Sequence, residues 1–250
     1  MPEERAALAA LRDGIEPAAA ELLAQDGWRR YDSGPWSALF HGEPLGWSPM
    51  PGHGHQDCGA PEIHFAGEAL FVDPGRGSYA LAGEADPFVA GGVHGGLLVD
   101  DFDPYPPNRP YYAPAFRASA AGAAQLRPTE DGIRVSHGGL RRLGVGQVER
   151  EWSFAPHSLT IRDTLTGLRP GHHVRRQLVT GLEVEVMGEA VILRSAVSGR
   201  RFKVMAQGCP PSLEPTTLWS AYGRGRPGHV LVFRCAPDAS WQGRLTVDLL

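Results

Sequence analysis

The sequence predicts an all-β fold of antiparallel strands, preceded by a short helical segment. From Trp36 onward, short apolar or alternating runs recur at strand length, and turn residues rather than helical patterns separate them. The chain contains 32 glycines and 22 prolines, which suits many short strands and turns better than long helices. A hydrophobic content of 42% and a charged content of 21% are typical of a globular protein and argue against disorder.

The N-terminal segment is predicted to be helical over residues 2–26. Apolar residues such as Leu8 and Leu11 recur there at helical spacing, and a proline in the middle divides the segment into two short helices. All-β sandwiches of this size are commonly single domains. The predicted organisation is therefore a short helical segment over residues 1–30, followed by one β-sandwich domain over residues 31–250.

The later part of the chain is predicted to be a meander of antiparallel strands. Two short apolar runs, 63–66 and 69–72, are joined through Gly67 and predict a β-hairpin, since glycine supplies the backbone freedom of a tight turn. The other predicted strands are 36–40, 97–99, 125–127, 133–136, 148–154, 159–165, 174–179, 184–186, 191–193, 202–205, 218–222, 230–233 and 245–249.

An H-x-H-x-D triplet precedes the hairpin. If the triplet is extended, His53, His55 and Asp57 point to the same face, because side chains two apart on a strand share a face. Two imidazoles and a carboxylate are costly to bury without partners, so this grouping calls for a metal, a substrate or solvent. A second carboxylate, Asp73, lies where the hairpin ends.

A metal site is the sharpest hypothesis for these residues. His55, Asp73 and His94 offer nitrogen, oxygen and nitrogen at intervals that a hairpin and a following strand can bring together. Catalytic zinc sites use three protein ligands of this kind and leave one coordination position open. The alternative is that the histidines are hydrogen-bonded packing residues near a loop. For the set of three, we favour the metal.

A proline-rich segment, residues 101–116, is predicted to be a long loop. Its five prolines prevent regular structure. Asn108, Arg109, Tyr111 and Tyr112 are of the kind that line a sugar or acid site. An aromatic and proline-rich loop that only covers the edge of the sandwich would have the same composition, and both readings stay open.

The motif of residues 53–79 resembles the signature of the heparinase II/III-like domain. It reads HGHQDCGAPEIHFAGEALFVDPGRGSY, and a weaker likeness continues through GIRVSHGGLRRLGVGQVEREWSF, LTIRDTLTG, HHVRRQLV and WSAYGRG, so that it covers roughly residues 36–250. This domain is the β-sandwich half of a family of polysaccharide lyases. In that family a large α/α toroid precedes the sandwich and supplies part of the active site. Here at most two short helices are expected before it.

The resemblance also implies roles for individual residues. In the family, the second His of H-x-H, the Asp of VDPG and a downstream His hold a zinc ion, which corresponds to His55, Asp73 and His94. The family usually has Asn after the third ligand, whereas Gly95 stands here. The first His of the motif assists at the charge centre, which makes His53 the candidate catalytic residue.

The remaining catalytic roles follow from the chemistry of β-elimination. The reaction needs a base for the proton next to a carboxylate, donors for the developing charge and an acid for the leaving oxygen. Without the toroid, Tyr79, Tyr111 or Tyr112 would have to act, or a partner chain would. Asp57 is expected to orient an imidazole by hydrogen bonding or, alternatively, to cap a turn.

The function predicted from these observations is a zinc-containing, or other metal-containing, lyase. It would carry out β-elimination on a uronate-like or small anionic substrate. One alternative is a cupin-like metal enzyme with a different reaction. Another is a non-catalytic binding module or one subunit of a split lyase.

The compartment and partners are predicted from composition. The three cysteines, Cys58, Cys209 and Cys235, are odd in number and widely spaced, so no disulfide framework is expected. No secretory signal and no apolar run long enough to span a membrane are visible, which leaves the cytoplasm as the expected location. A net charge of −4 does not suggest nucleic-acid binding. A small anionic or saccharide substrate is expected, with a homo-oligomer or separate partner chain completing the site.

Overall fold

The computed structural model describes residues 20–42, 54–78, 86–106, 124–237 and 239–250. These residues form one short helix, sixteen strands and three short 3₁₀ turns. The 3₁₀ turns are Asp86–Val89, Gly91–Val93 and Arg141–Leu143. The helix and strands are α1 (Ala20–Gln25), β1 (Trp28–Ser33), β2 (Trp36–His41), β3 (Pro61–Phe65), β4 (Glu68–Phe71), β5 (Leu97–Val99), β6 (Gln125–Pro128), β7 (Gly132–His137), β8 (Val148–Ala155), β9 (Ser158–Leu165), β10 (Val174–Thr180), β11 (Glu183–Met187), β12 (Ala190–Arg194), β13 (Arg201–Ala206), β14 (Pro211–Ala221), β15 (Arg224–Cys235) and β16 (Trp241–Leu249).

The strands form three antiparallel sheets around a shared core. Their orders are β1-β2-β3-β4, then β14-β15-β10-β5, and an eight-stranded sheet β11-β12-β13-β16-β9-β8-β7-β6. Buried side chains from all three sheets, such as Trp36, Trp152 and Phe233, belong to one hydrophobic cluster. The predicted all-β, antiparallel fold is confirmed. A simple meander is not what forms, because β16 is inserted between β13 and β9, and β10 lies in a different sheet from β9.

The hairpin that leads to the candidate site forms where the sequence predicts it. Along β2 and β3, buried positions alternate with half-buried ones, as expected for strands with one face on the core. The two-residue turn consists of Ala66 and Gly67, both with positive φ (49° and 80°). Such a turn matches the twist of the strands that it joins.

The end of the hairpin is attached to β10. The backbone N–H of Val72 donates to the carbonyl of Val179 at 3.0 Å. The hydroxyl of Thr180 donates to the carbonyl of Leu70 at 2.8 Å. The first two sheets therefore meet along this line, and the residue that follows, Asp73, is fixed beside β10.

The expected strand through the H-x-H-x-D motif does not form in its described part. Residues 54–60 are irregular, with Gly59 at a positive φ of 74°. The backbone N–H of Gln56 donates to Val89 in a 3₁₀ turn rather than to a neighbouring strand. His55 and Asp57 therefore do not share a strand face, and each contacts a different imidazole.

Strands β1 and β14 differ from the prediction, whereas the described part of the predicted helical segment is helical. Strand β1 was not predicted, because its sequence WRRYDS is polar, but it pairs along its whole length with β2. Strand β14 begins at Pro211 rather than at residue 218, because pairing with β15 extends it beyond its apolar core. The helical prediction is tested only over Ala20–Gln25, which is helical, and Gly27 follows with a positive φ of 73°. Residues 1–19 lie outside the described part of the chain.

The expectation of no disulfide was wrong. Cys209 and Cys235 form a disulfide bond, with their Cα atoms 5.1 Å apart. The connection from β13 to β14 lies beside the end of β15, which brings together two cysteines that are distant in sequence. Cys58 is buried and lies outside this disulfide, as expected. Within the described residues, no helix has the length and apolar character required to cross a membrane.

Candidate metal centre

Three ligand-type side chains meet where the loops around the first two sheets converge. His55 lies in the irregular segment before β3, Asp73 follows β4, and His94 ends the 3₁₀ turn Gly91–Val93. One ligand atom from each of these side chains lies within 4.8 Å of the other two. The sequence-predicted set is thus assembled in space, by loops rather than by the face of one strand.

Asp73 presents one carboxylate oxygen to the cluster. Its Oδ1 accepts a hydrogen bond from the backbone N–H of Gly75 at 2.8 Å, in the manner of an Asx turn. This bond fixes the carboxylate, so that Oδ2 faces Nδ1 of His94 at 2.6 Å. The side chain remains 30% exposed, so the cluster is accessible from outside on this side.

His94 is held on both sides of its ring. The residue is fully buried, and its Nε2 lies 3.1 Å from the backbone carbonyl of Phe88. A ring N–H at Nε2 donates to that carbonyl, which leaves Nδ1 as the nitrogen that faces the cluster. Metal-binding histidines are usually fixed in this way, with the second nitrogen on a carbonyl or carboxylate.

His55 completes the cluster from the opposite loop. Its ring centroid lies 5.2 Å from that of His94, with 34° between the planes. Burial, followed by the neighbouring charge of His94, lowers the pKa of His55 below its usual value. A neutral imidazole is the form that binds metal ions.

The other two groups, Asp73 and His94, form an ion pair. Burial disfavours both charges, but the hydrogen bond and charge attraction between the partners outweigh it. The pKa of Asp73 is therefore lowered and the pKa of His94 is raised. The proton between Nδ1 of His94 and Oδ2 of Asp73 thus holds these two atoms close together. A divalent cation at this position would also hold them together.

The donor set fits zinc. Two imidazoles and a carboxylate are the ligands of a common class of catalytic zinc sites. Zinc bonds to these atoms are about 2 Å long, so ligands of one ion lie roughly 3 to 3.5 Å apart. Small side-chain movements would bring the present atoms to that separation. The residues that would hold the ion are His55, Asp73 and His94.

A tryptophan that sequence reasoning missed, Trp219, packs against the segments that follow Asp73 and precede His94. The backbone N–H of Trp219 on β14 donates to the carbonyl of Pro74 at 2.7 Å. Its ring packs on Gly77 so closely that a Cβ added there would lie 2.7 Å from ring atoms. The same ring makes an edge contact with Phe88, 5.8 Å between centroids. The signal available in the sequence was the pair of glycines after Asp73, Gly75 and Gly77, because glycine allows another group to approach the backbone closely.

Asp57 lies beside an imidazole outside the cluster. Its Oδ1 is 3.7 Å from Nδ1 of His41, and the His41 ring stacks on Trp28 with centroids 4.3 Å apart. Its charge also favours the protonated forms of His55 and His94. Its role as the residue that orients a ligand imidazole stays a prediction.

The remaining predicted site residues lie outside the described part of the chain. Their contribution stays a prediction from the sequence. They are His53, Tyr79, Asn108, Arg109, Tyr111 and Tyr112.

Comparison with known proteins identifies similar domains. A family model described as "Heparinase II/III-like, C-terminal" matches residues 16–240. A heparinase III, the BT4657 gene product, is 18% identical with a TM-score of 0.67, over 89% of this chain and 34% of that one. The heparan sulfate lyase HepC from Pedobacter heparinus is 13% identical with a TM-score of 0.68, over 90% of this chain and 35% of that one. No curated protein sequence matches the chain. The chain thus spans about a third of the length of these structures, and at such identities the likeness concerns the fold.

Proposed function

The chain belongs to the heparinase II/III-like C-terminal domain family, a family related to polysaccharide lyases, and we propose that it acts in a metal-dependent β-elimination. The proposed substrate carries a carboxylate and is either uronate-like or a small organic anion. The observation that supports this proposal is the convergence of His55, Asp73 and His94 on one point.

The chemistry proposed for the site is charge stabilisation. A divalent cation held by His55, Asp73 and His94 would supply a positive charge that stabilises the anion formed when the proton next to a carboxylate is removed. The chain's own residues position this charge. Asp73 and His94 are fixed by backbone hydrogen bonds on their outer sides, so their inner atoms keep one geometry. A site that is organised before substrate binds needs little rearrangement during the reaction.

The proton transfers are proposed for one histidine and three tyrosines. We propose that His53, two residues before His55, stabilises the developing charge or takes the proton. Tyr79, Tyr111 and Tyr112 are the proposed groups for the remaining transfers. A base removes the proton, the bond to the leaving oxygen breaks, a double bond forms, and an acid protonates the leaving oxygen.

A second candidate function is that of a sandwich domain whose substrate cleft is completed by another chain. Because the chain spans about a third of the heparinase structures it resembles, a separate partner chain could complete the substrate cleft. The chain would then be the sandwich subunit of a split lyase. Adding candidate helical partners to the activity assay distinguishes this case from that of a self-sufficient enzyme.

Activity of a His53→Ala variant tests the proposed function. We expect the metal-loaded wild-type chain to form unsaturated products from anionic saccharides or small uronates, measured by ultraviolet absorbance. In His53→Ala this activity should fall by about 100-fold or more, the size typical of losing a general acid or base. Metal content should stay at the wild-type level.

The matched control is His157→Ala, which removes an exposed histidine between β8 and β9. It should keep both activity and metal. Equal loss of metal and activity in His53→Ala would contradict the role given to His53. A wild-type chain that binds metal but forms no product, alone or with a partner, would contradict the lyase function itself.

A further inference from the structure

The segment that carries His94 is rich in glycine and lacks intrinsic rigidity. It reads GGVHGG over residues 91–96. Nothing lies within 4 Å of a Cβ added at Gly92 or Gly96, a Cβ at Gly95 would make only ordinary contacts, and none of these three has a positive φ. Neither space nor backbone conformation therefore requires glycine at these three positions. Glycine adds conformational freedom, which must be restricted from outside if His94 is to keep its place.

The restriction comes from side chains that bind the backbone carbonyls of the segment. The amide Nε2 of Gln177 donates to the carbonyls of Gly91 at 2.7 Å and His94 at 2.9 Å. The backbone N–H of Gln177 donates to the carbonyl of Gly96 at 3.0 Å. One residue of β10 thus contacts the segment at its start, at its ligand and at its end.

Two arginines complete this arrangement. Arg175 donates to the carbonyl of Gly92 at 3.1 Å and also to the side-chain oxygen of Gln177. From β8, Arg150 donates to the carbonyl of Gly95 at 3.1 Å. All three side chains are buried, with exposed fractions of 0% for Gln177, 8% for Arg175 and 4% for Arg150.

The anchoring residues are themselves fixed by other charges. Arg150 is paired with the buried carboxylate of Asp163 at 2.9 Å. Arg175 is paired with Glu214 at 2.8 Å. The hydrogen bonds to the segment therefore come from donors with little freedom of their own, and buried bonds of this kind are costly to break.

We infer that Gln177 is the positioning residue of the metal centre, and that its side-chain amide sets the place of His94 and hence the affinity for zinc. The inference rests on the proposed metal site. Within the part of the chain that the structure describes, His94 is also held by contacts of its ring with Asp73, Phe88 and His55. Its backbone N–H donates to Gly91, and its carbonyl accepts from the N–H of Gly96. Without the amide donors, the segment keeps its bonds to the two arginines, to the carboxylate of Asp103 and to backbone groups, but the carbonyl of His94 loses its side-chain donor.

The test compares two Gln177 variants with the wild-type chain. Gln177→Met keeps the length of the side chain but removes all its hydrogen bonds. Gln177→Glu keeps the oxygen that accepts from Arg175 but removes both donors to the segment. We expect both variants to bind zinc about 10- to 100-fold more weakly, the usual effect of losing a group that orients a ligand. Zinc affinity is measured by competition with a chelator of known affinity.

A second measurement does not depend on zinc. Amide hydrogen exchange over residues 90–96 of the metal-free chain should be about tenfold faster in Gln177→Met, since two buried hydrogen bonds are lost. The control is Ser195→Ala, which removes a buried hydroxyl that bonds Glu68, Val197 and Ser198. This variant should keep the wild-type zinc affinity and the wild-type exchange rate over 90–96.

The outcomes separate this inference from the proposed function. If the wild-type chain binds zinc and both Gln177 variants bind it equally well, the positioning role is wrong and the metal site stands. Weak binding in Gln177→Met alone would assign the effect to the oxygen rather than to the amide donors and would overturn the inference. If the wild-type chain binds no zinc, the metal site is wrong, and unchanged exchange in Gln177→Met would overturn the positioning role as well.

Discussion

At the residue scale, the sequence identifies three side chains that the structure brings together, but not the contacts that support them. His55, Asp73 and His94 carry chemistry that is visible in their side-chain types and in the motif around them. Gln177 and Trp219 act through backbone carbonyls and close packing. Such contacts depend on which strands meet in space, and no local pattern in the sequence encodes them.

A buried histidine outside the candidate metal centre is expected to make the fold sensitive to acid. Burial lowers the pKa of His137 to about 4. Its Nδ1 accepts a hydrogen bond from the backbone N–H of Gly139 at 3.2 Å, and its ring lies 5.5 Å from that of Tyr105. These contacts suit the neutral imidazole, whereas an unfolded chain has a histidine pKa of about 6.5.

We therefore predict that the free energy of unfolding falls as the pH is lowered through this range. Between the two pKa values, the unfolded chain binds the proton and the folded chain does not, so acid stabilises the unfolded state. His137 should contribute a loss of about 2 kcal/mol between about pH 7.5 and pH 5. Urea denaturation of the wild-type chain and of His137→Gln, which does not titrate, isolates this contribution. Equal pH dependence in the two proteins would contradict the prediction.

At the scale of elements, apolar alternation predicted most strands and failed where pairing overrides composition. In the hairpin of β3 and β4, the alternation of β3, the short apolar run of β4 and the turn residues between them specify the structure. By contrast, β1 is polar and half of β14 is rich in polar residues and proline, yet both pair with a neighbouring strand. The ladder of a partner strand stabilises these segments, and that partner is not visible locally.

The disulfide between Cys209 and Cys235 should stabilise the β14–β15 hairpin, whose two ends it joins. For cysteines 26 residues apart, the loss of freedom in the unfolded chain corresponds to about 3 to 4 kcal/mol. We predict a decrease of this order in the free energy of unfolding for the double variant Cys209→Ala, Cys235→Ala, measured in urea.

Thiol titration checks the bond directly. The denatured wild-type chain should show one reactive thiol, that of Cys58, and three after reduction. Three thiols before reduction would contradict the disulfide. Because disulfides persist mainly in oxidising compartments, the same titration on protein from its native cells also tests the expected cytoplasmic location.

At the scale of the whole molecule, three sheets around one core create the site at their junction. The first sheet provides Asp73, β10 of the second anchors the His94 segment, and β8 of the large sheet provides Arg150. The candidate ligands are therefore supported by all three sheets that the described residues form. The all-β class could be predicted from the strand-length apolar runs of the sequence. The convergence of loops at one point could not, because it depends on the order of the strands in the sheets.

Metal content is the measurement that tests the central claim most directly. Elemental analysis of the purified wild-type chain should find about one zinc or other divalent ion per chain, as expected for a single three-ligand site. His55→Ala and Asp73→Ala should each lose it, while His64→Ala, a histidine on the half-buried face of β3, should retain it. A wild-type chain without metal, or ligand variants that keep the wild-type content, would contradict the proposed metal centre.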